Sequence, residues 1–395
     1  MSILLDTTLH DLYMLDTDGA HHGVITTYPY PCQAERETPN PFSSEHFLYG
    51  ITFPNTTVSN NMQIILECGI AQRYSFITGH APVILFDSLP PITPPSAQES
   101  FQSSPIIDIL TLYSQLHPSQ RPQVHFPRNA SEIHLPPNTR IAIIVPQVEL
   151  AHLPHIVAPE THGHPLPFVV KVSIAVSGRG TFLIRTEPDR RAACTRLRAI
   201  FTPPSRTSPI AKTPTSSPSA WSCSRSSLPG EAYGLTFFVT QTGRAVFLAA
   251  SRQQFNAEGQ WRGGWVSFPA QRALRERYWS TITAIADELH ACGYYGTVGA
   301  DVMVDETGRQ LVVDVNLRVT GSYHLGLLRG HFVRRGLVVV AVLSPLFVMG
   351  ERRVFEERVA EEVAEGRLIV TAWVHGLRGG KGYAAVTLPG EDEAR

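Results

Sequence analysis

The stretch Gly299–Ser322 reads GADVMVDETGRQLVVDVNLRVTGS. Two Val-rich runs flank Thr307-Gly308, and glycine takes positive φ without a Cβ clash, so a β-hairpin is expected to turn there. Pairing from that turn sets Asp305 opposite Gln310, Val304 opposite Leu311, Val302 opposite Val313 and Asp301 opposite Asp314. Directly opposed residues share a face, and so do i, i+2 neighbours. Asp301, Asp314 and Asn316 therefore collect on one side, with Arg318 just beyond. Val302, Val304, Leu311, Val313 and Val315 make the other side apolar. Like charges placed opposite each other destabilise a sheet. A divalent cation between them reverses that sign, and a few hard oxygen ligands suit Mg2+ or Mn2+ that also holds phosphates. A hairpin whose acids simply face water accounts for the same residues equally well.

Upstream, Lys171 lies in the apolar run PFVVKVSI, expected to form a strand over 168–174. It is the first of only three lysines, with Lys212 and Lys381. Two readings compete. A lysine there can guard an edge strand against aggregation, or present a point charge to a phosphate from a rigid strand. Ser177-Gly178-Arg179-Gly180-Thr181 follows as a glycine-containing turn leading to a return strand over 181–185. Its glycines would let backbone N–H groups approach phosphate oxygens. No Gly-Lys-Ser/Thr closes this turn and no helix follows, so it is neither a P-loop nor a dinucleotide fingerprint.

Charge places an anionic ligand in the second half of the chain. Acids outnumber bases 14 to 5 before Lys171, and bases outnumber acids 28 to 20 from it onward. The total is only −1, which leaves no nucleic-acid footprint. Five cysteines without CxxC spacing (Cys32, Cys68, Cys194, Cys223, Cys292) argue against a disulfide framework or zinc site and suit a reducing compartment. The first residues, MSILLDTTLHDLYMLD, lack a basic n-region, so no signal peptide is expected. The apolar run Leu337–Met349 is too short to span a bilayer and is read as a buried helix. No membrane association follows, and the cytosol is the expected compartment.

At 395 residues the chain holds two or three domains or lobes. Residues 1–165 read as an α/β domain, with strands over 62–67, 82–86 and 140–145 and a helix over 107–116. After the lysine strand and flap, a helix fits 188–200. The stretch 203–229, dominated by Pro, Ser, Thr and Arg, reads as an unstructured insert. Strands resume over 235–240 and 245–250, and Gln260–Trp265 reads as a turn. A long helix fits 271–292 through Leu274, Tyr278, Ile282, Ile285, Ala286 and Leu289. Helices over 323–334 and 354–365, then strands over 368–375 and 383–388, complete the second half. His324, His331, Cys194 and Cys292 read as packing residues.

A strand lysine, a glycine-containing flap and an acidic hairpin ending in Asp-x-Asn-x-Arg resemble, in order and spacing, the ATP-grasp superfamily. Gly293-Tyr-Tyr-Gly296, Gly299-Ala-Asp301, Asp314-Val-Asn316-Leu-Arg318 and Thr320-Gly-Ser322 are similar to fungal ATP-grasp proteins in particular. The resemblance covers about 168–200 and 232–388. It implies an α/β, Rossmann-like N-terminal domain over 1–165 and an α+β ATP-grasp domain of two lobes over 166–390. It also implies that Lys171 binds the phosphates and Ser177, Gly178, Arg179, Gly180 and Thr181 cover them. Asp301, Asp314 and Asn316 would hold Mg2+ or Mn2+, and Arg318 would contact the transferred phosphate or a carboxylate substrate. The implied activity is ATP-dependent ligation of a carboxylate to an amine or thiol through an acyl phosphate. Segments of the family pattern are missing, however: a lobe element before Lys171, and the hinge strand between the flap and Leu235. A degenerate or truncated ATP-grasp protein, keeping the metal hairpin without catalysis, is the alternative.

Overall fold

A computed structural model of the protein describes residues 2–17, 23–27, 69–85, 105–127, 132, 140–143, 168–172, 181–184, 188, 221–224, 231–255, 261–291, 293–305, 307–350, 352–375 and 381–390. Three sheets organise them. The first half carries four parallel strands, β1 (Gly23–Thr27), β2 (Pro82–Leu85), β3 (Gln123–His125) and β4 (Arg140–Ile143), in the order β3-β2-β1-β4. Next come three antiparallel strands, β5 (Phe168–Val172), β6 (Thr181–Ile184) and β7 (Trp221–Ser224), in the order β6-β5-β7.

The third sheet is antiparallel throughout and has eight strands. They are β8 (Glu231–Val239), β9 (Ala245–Phe255), β10 (Trp261–Ser267), β11 (Gly296–Val304), β12 (Gln310–Asn316), β13 (Val339–Met349), β14 (Ile369–His375) and β15 (Lys381–Pro389). Their order is β12-β11-β8-β9-β10-β13-β15-β14. The hairpin β11–β12 thus closes one end of the sheet.

Strand alternation divides the packing between two cores. Phe237 and Phe238 are adjacent in β8 and must point to opposite faces; both are fully buried, in different clusters. Phe237 joins Val298, Ala300 and Val302 against Tyr278, Ile282 and Ala286 of the long helix Gln271–Ala291. Those are the positions that helical periodicity picks out in the sequence. Phe238 belongs to a larger core shared with the beginning of the chain. Ile3, Leu5, Leu9 and Leu12 enter it, as do Tyr74 and Phe76, and Leu112 of the helix Pro105–Ser114. Thr8 and Asp11 fix the start of the helix Leu9–Met14 with a reciprocal capping box.

Several expectations change. Leu337–Met349 is not a helix. Its residues from Val339 form β13, an inner strand between β10 and β15. An apolar run of that length fits either element, and Pro345 falls where the register shifts between Leu343 and Leu346, a place a strand tolerates proline. Trp261–Ser267 is strand β10, not a turn. The stretch read as an unstructured insert includes β7. The helix expected over 323–334 is two, Tyr323–Leu327 and Arg329–Val333, and that over 354–365 is Arg352–Arg358 and Ala360–Ala364. The strand expected over 62–67 lies outside the described residues, as does the helix over 188–200 except Pro188. Among the described residues no helix is long and apolar enough to cross a membrane.

Candidate functional site

The hairpin turns at Gly308, whose φ is +82°, with Gly308 N–H donating to the Asp305 carbonyl at 2.9 Å. Asp301 stands opposite Asp314 and Gly299 opposite Asn316. The two acids are therefore paired across the ribbon, as the sequence implies. Nearer the turn the expected pairs are off by one residue. Val302 faces Val312, Met303 faces Leu311 and Val304 faces Gln310, because a bulge between Asp301 and Val302 leaves Val313 as the extra residue. Bulges bend and twist a strand locally, and this one adjoins the acids. Gln310 fastens the ribbon to the long helix: it accepts from Thr281 Oγ1 at 2.5 Å and donates to the Arg277 carbonyl at 2.8 Å.

Each acid is held by an amide. Gln253 Nε2 donates to Asp301 Oδ1 at 2.6 Å, and Asn316 Nδ2 donates to Asp314 Oδ2 at 2.6 Å. Gln253 lies on β9, two strands away from β11 with β8 between. It can cross β8 because the residue paired with Asp301 there is Gly234; a Cβ at that position would run into the Gln253 amide. A glycine inside a strand marks such a close approach, so Gly234 was the sequence signal for a reach that Gln253 itself does not announce. Arg318 completes a chain along β12. Its Nη2 donates to Asn316 Oδ1 at 3.0 Å, and its Nη1 to the Val319 carbonyl at 3.1 Å and the Tyr74 hydroxyl at 3.4 Å.

The loop Thr320-Gly321-Ser322 folds back over this face. It lies close because Gly299 beneath it carries no side chain: a Cβ there would overlap Thr320. Ser322 Oγ and Ser251 Oγ are hydrogen-bonded at 3.0 Å. The Trp261 ring lies against Gly321 in turn.

Lys171 falls in β5, between β6 and β7, opposite Thr181 on one side and Ser222 on the other. It is not on an edge strand, so the edge-guarding role does not apply. Strand β7 comes within 8 Å of β12, Cα to Cα, which brings the lysine's sheet beside the strand bearing Asp314 and Asn316. Ser177, Gly178, Arg179 and Gly180 lie outside the described residues, and Thr181 opens β6.

The oxygen donors fit a hard divalent cation: two opposed carboxylates and an amide on one face. Only two of the three are acids, and among the described residues no three His, Cys, Asp or Glu side chains form a metal-holding group. His324 and His331 serve packing. His324 is buried and hydrogen-bonded to Thr387 at 2.7 Å; burial first, then the Arg73 charge, lowers its pKa to about 3. His331 is buried against the Gly366 carbonyl at 2.9 Å, and desolvation lowers its pKa too.

The ATP-grasp domain model matches residues 151–322, a span that contains every candidate site residue from Lys171 to Arg318. The matched span is less than half of the chain. No curated protein matches it. Among solved structures, it is similar to the biotin carboxylase–β-γ-ATP complex of Campylobacter jejuni, at 11% identity and TM-score 0.35, covering 58% of this chain and 55% of that one. It is similar to N5-carboxyaminoimidazole ribonucleotide synthetase of Thermus thermophilus, at 18% identity and TM-score 0.34, covering 58% of each chain. For the L-amino acid ligase of Bacillus licheniformis the values are 14% and 0.36, covering 60% of this chain and 62% of that one. The chain thus spans less than two thirds of the length of each.

Proposed function

We propose that this protein is an ATP-dependent ligase that joins a carboxylate to an amine or thiol. The supporting observation is the pairing of Asp301 with Asp314 on one ribbon, continued through Asn316 to Arg318. Asp301, Asp314 and Asn316 hold Mg2+ or Mn2+, which neutralises charge on the phosphoryl group being transferred. Lys171 binds the phosphates of ATP, and Ser177, Gly178, Arg179, Gly180 and Thr181 cover them. Arg318 contacts the transferred phosphate or the carboxylate. The carboxylate oxygen attacks the γ-phosphorus and ADP departs, leaving an acyl phosphate. The amine or thiol then attacks the acyl carbon, phosphate leaves with the bonding electrons, and the nucleophile loses its proton. Positioning and electrostatics carry such a transfer.

The parallel order β3-β2-β1-β4 supports a Rossmann-like N-terminal domain over 1–165. We assign 166–390 to the ATP-grasp domain and the whole to the cytosol, with neither nucleic acid nor membrane as a partner. Calorimetric titration with ATP, with and without Mg2+, tests the reading. The full chain binds MgATP, and Asp314→Ala weakens that binding at least about tenfold, as expected on losing a charged ligand. Equal affinity in the variant, or no binding at millimolar ATP, sinks the proposal. Magnesium-dependent binding with no phosphate release towards any carboxylate would favour a degenerate member that keeps the hairpin but not the chemistry.

A further inference from the structure

Arg73 is only 4% exposed, yet its Nε and Nη1 are buried with no hydrogen-bond partner. It lies in the helix over 69–75, which enters the larger core beside the hairpin's far end. A guanidinium taken out of water forfeits strong hydration, and leaving its donors open adds the full desolvation cost. What surrounds it does not repay that cost. Its central carbon stands 5.4 Å from the Tyr74 ring centroid and 5.8 Å from that of Trp261. Aromatic rings attract the cation as a charge, but the five N–H donors lie in the guanidinium plane and need acceptors. No carboxylate among the described residues forms an ion pair with it. Two titratable groups in its field are uncharged: His324, whose pKa falls to about 3, and Tyr383, whose hydroxyl hydrogen-bonds Ser344 at 2.8 Å.

The neighbours of Arg73 connect it to the candidate site. Tyr74 accepts a hydrogen bond from Arg318, so two arginines flank one tyrosine. Trp261, the second ring beside Arg73, lies on Gly321 of the loop that follows Arg318. We propose that Arg73 is an oxyanion-binding residue, taking a carboxylate or phosphoryl group of the ligand between Tyr74 and Trp261. Its position beside the substrate rests on the reading of Arg318 given above; the anion site itself rests on the open donors of Arg73. A ligand with a second acidic group, distinct from the one that reacts, would then be held at both ends. A planar guanidinium suits that role better than a lysine.

The test titrates the full chain with inorganic phosphate and, separately, with succinate. Affinity is measured by calorimetry and the thermal midpoint is followed in parallel, for wild type, Arg73→Met and Arg73→Lys. Wild type binds an oxyanion and its midpoint rises with anion concentration. Both variants lose that affinity at least about tenfold, the worth of a charge-assisted hydrogen bond. Binding of phosphate alone assigns a phosphoryl group, and of succinate alone a carboxylate. Wild type binding neither anion at millimolar concentration overturns the proposal, as does Arg73→Met binding them as tightly as wild type. Should Arg73→Met fail to fold, Arg73→Lys decides, since it keeps charge and length but loses the fork. The two readings fail separately. Asp314→Ala weakens magnesium-dependent ATP binding without touching anion binding, whereas anion binding that depends on Arg73 in a chain blind to ATP would sink the ligase reading alone.

Discussion

The two ends of one hairpin treat their carboxylates differently. At the turn, Asp305 Oδ1 accepts from Thr307 N–H at 2.9 Å, Thr307 Oγ1 at 2.7 Å and Arg309 N–H at 2.9 Å. These bonds, Thr307 foremost, lower its pKa. Its charge is satisfied by the chain around it, and its work is to shape the turn. At the other end Asp301 and Asp314 oppose each other, each with an amide donor, on half-buried backbone. Local hydrogen bonding explains the first acid completely. At the far end the feature of interest is the pairing itself, two acids on one ribbon where the proposed cation would bind.

Three substitutions break or sharpen this contrast. Gly299→Ala has the largest effect, because its methyl would overlap Thr320 and lift the loop that covers the paired acids. A loss of about 1–3 kcal/mol is expected in urea unfolding, the usual cost of overpacking; unchanged stability would mean the loop does not press on the ribbon. Asp314→Asn keeps an oxygen for Asn316 and removes one charge of the pair. At saturating Mg2+ its thermal midpoint should rise less than that of wild type, and an equal rise in both would argue against the pair as ligands. Asp305→Ala has the smallest effect, a slight fall in the denaturation midpoint. Its pH dependence is the informative part. A carboxyl whose folded pKa lies below the ordinary 3.8 stabilises above that value and loses the contribution as pH falls through the folded pKa. Wild type and variant should therefore converge below pH 4 as the difference fades, and a constant gap down to strong acid would argue against it.

The paired acids were legible in the sequence because a glycine fixes the turn and strand pairing has period two. The bulge at Val313 was not, since nothing distinguishes the inserted valine from Val312 or Val315. β13 was misread for a related reason: its residues are apolar almost throughout, so the sequence hides the alternation that leaves Phe347 and Met349 exposed, and its length suits a helix as well. Lys171 stood out as a charge in an apolar run, but only the pairing of β5 with both neighbours excluded an edge. Gln253, Tyr74 and Arg73 come from distant parts of the chain, so their convergence on the hairpin could not be read from spacing at all.

That convergence has a cost in time. Ile3 bonds the Gln115 carbonyl, Asp6 bonds Leu327, and the Gln72 side chain accepts from Trp373 N–H at 2.8 Å across 301 positions. Contacts so far apart along a polypeptide slow the search for the native state. During synthesis the segment bearing Arg73 leaves the ribosome long before β14 exists, so its apolar surface has to wait for its partner. A chaperone that holds nascent polypeptide would be expected to meet this protein early.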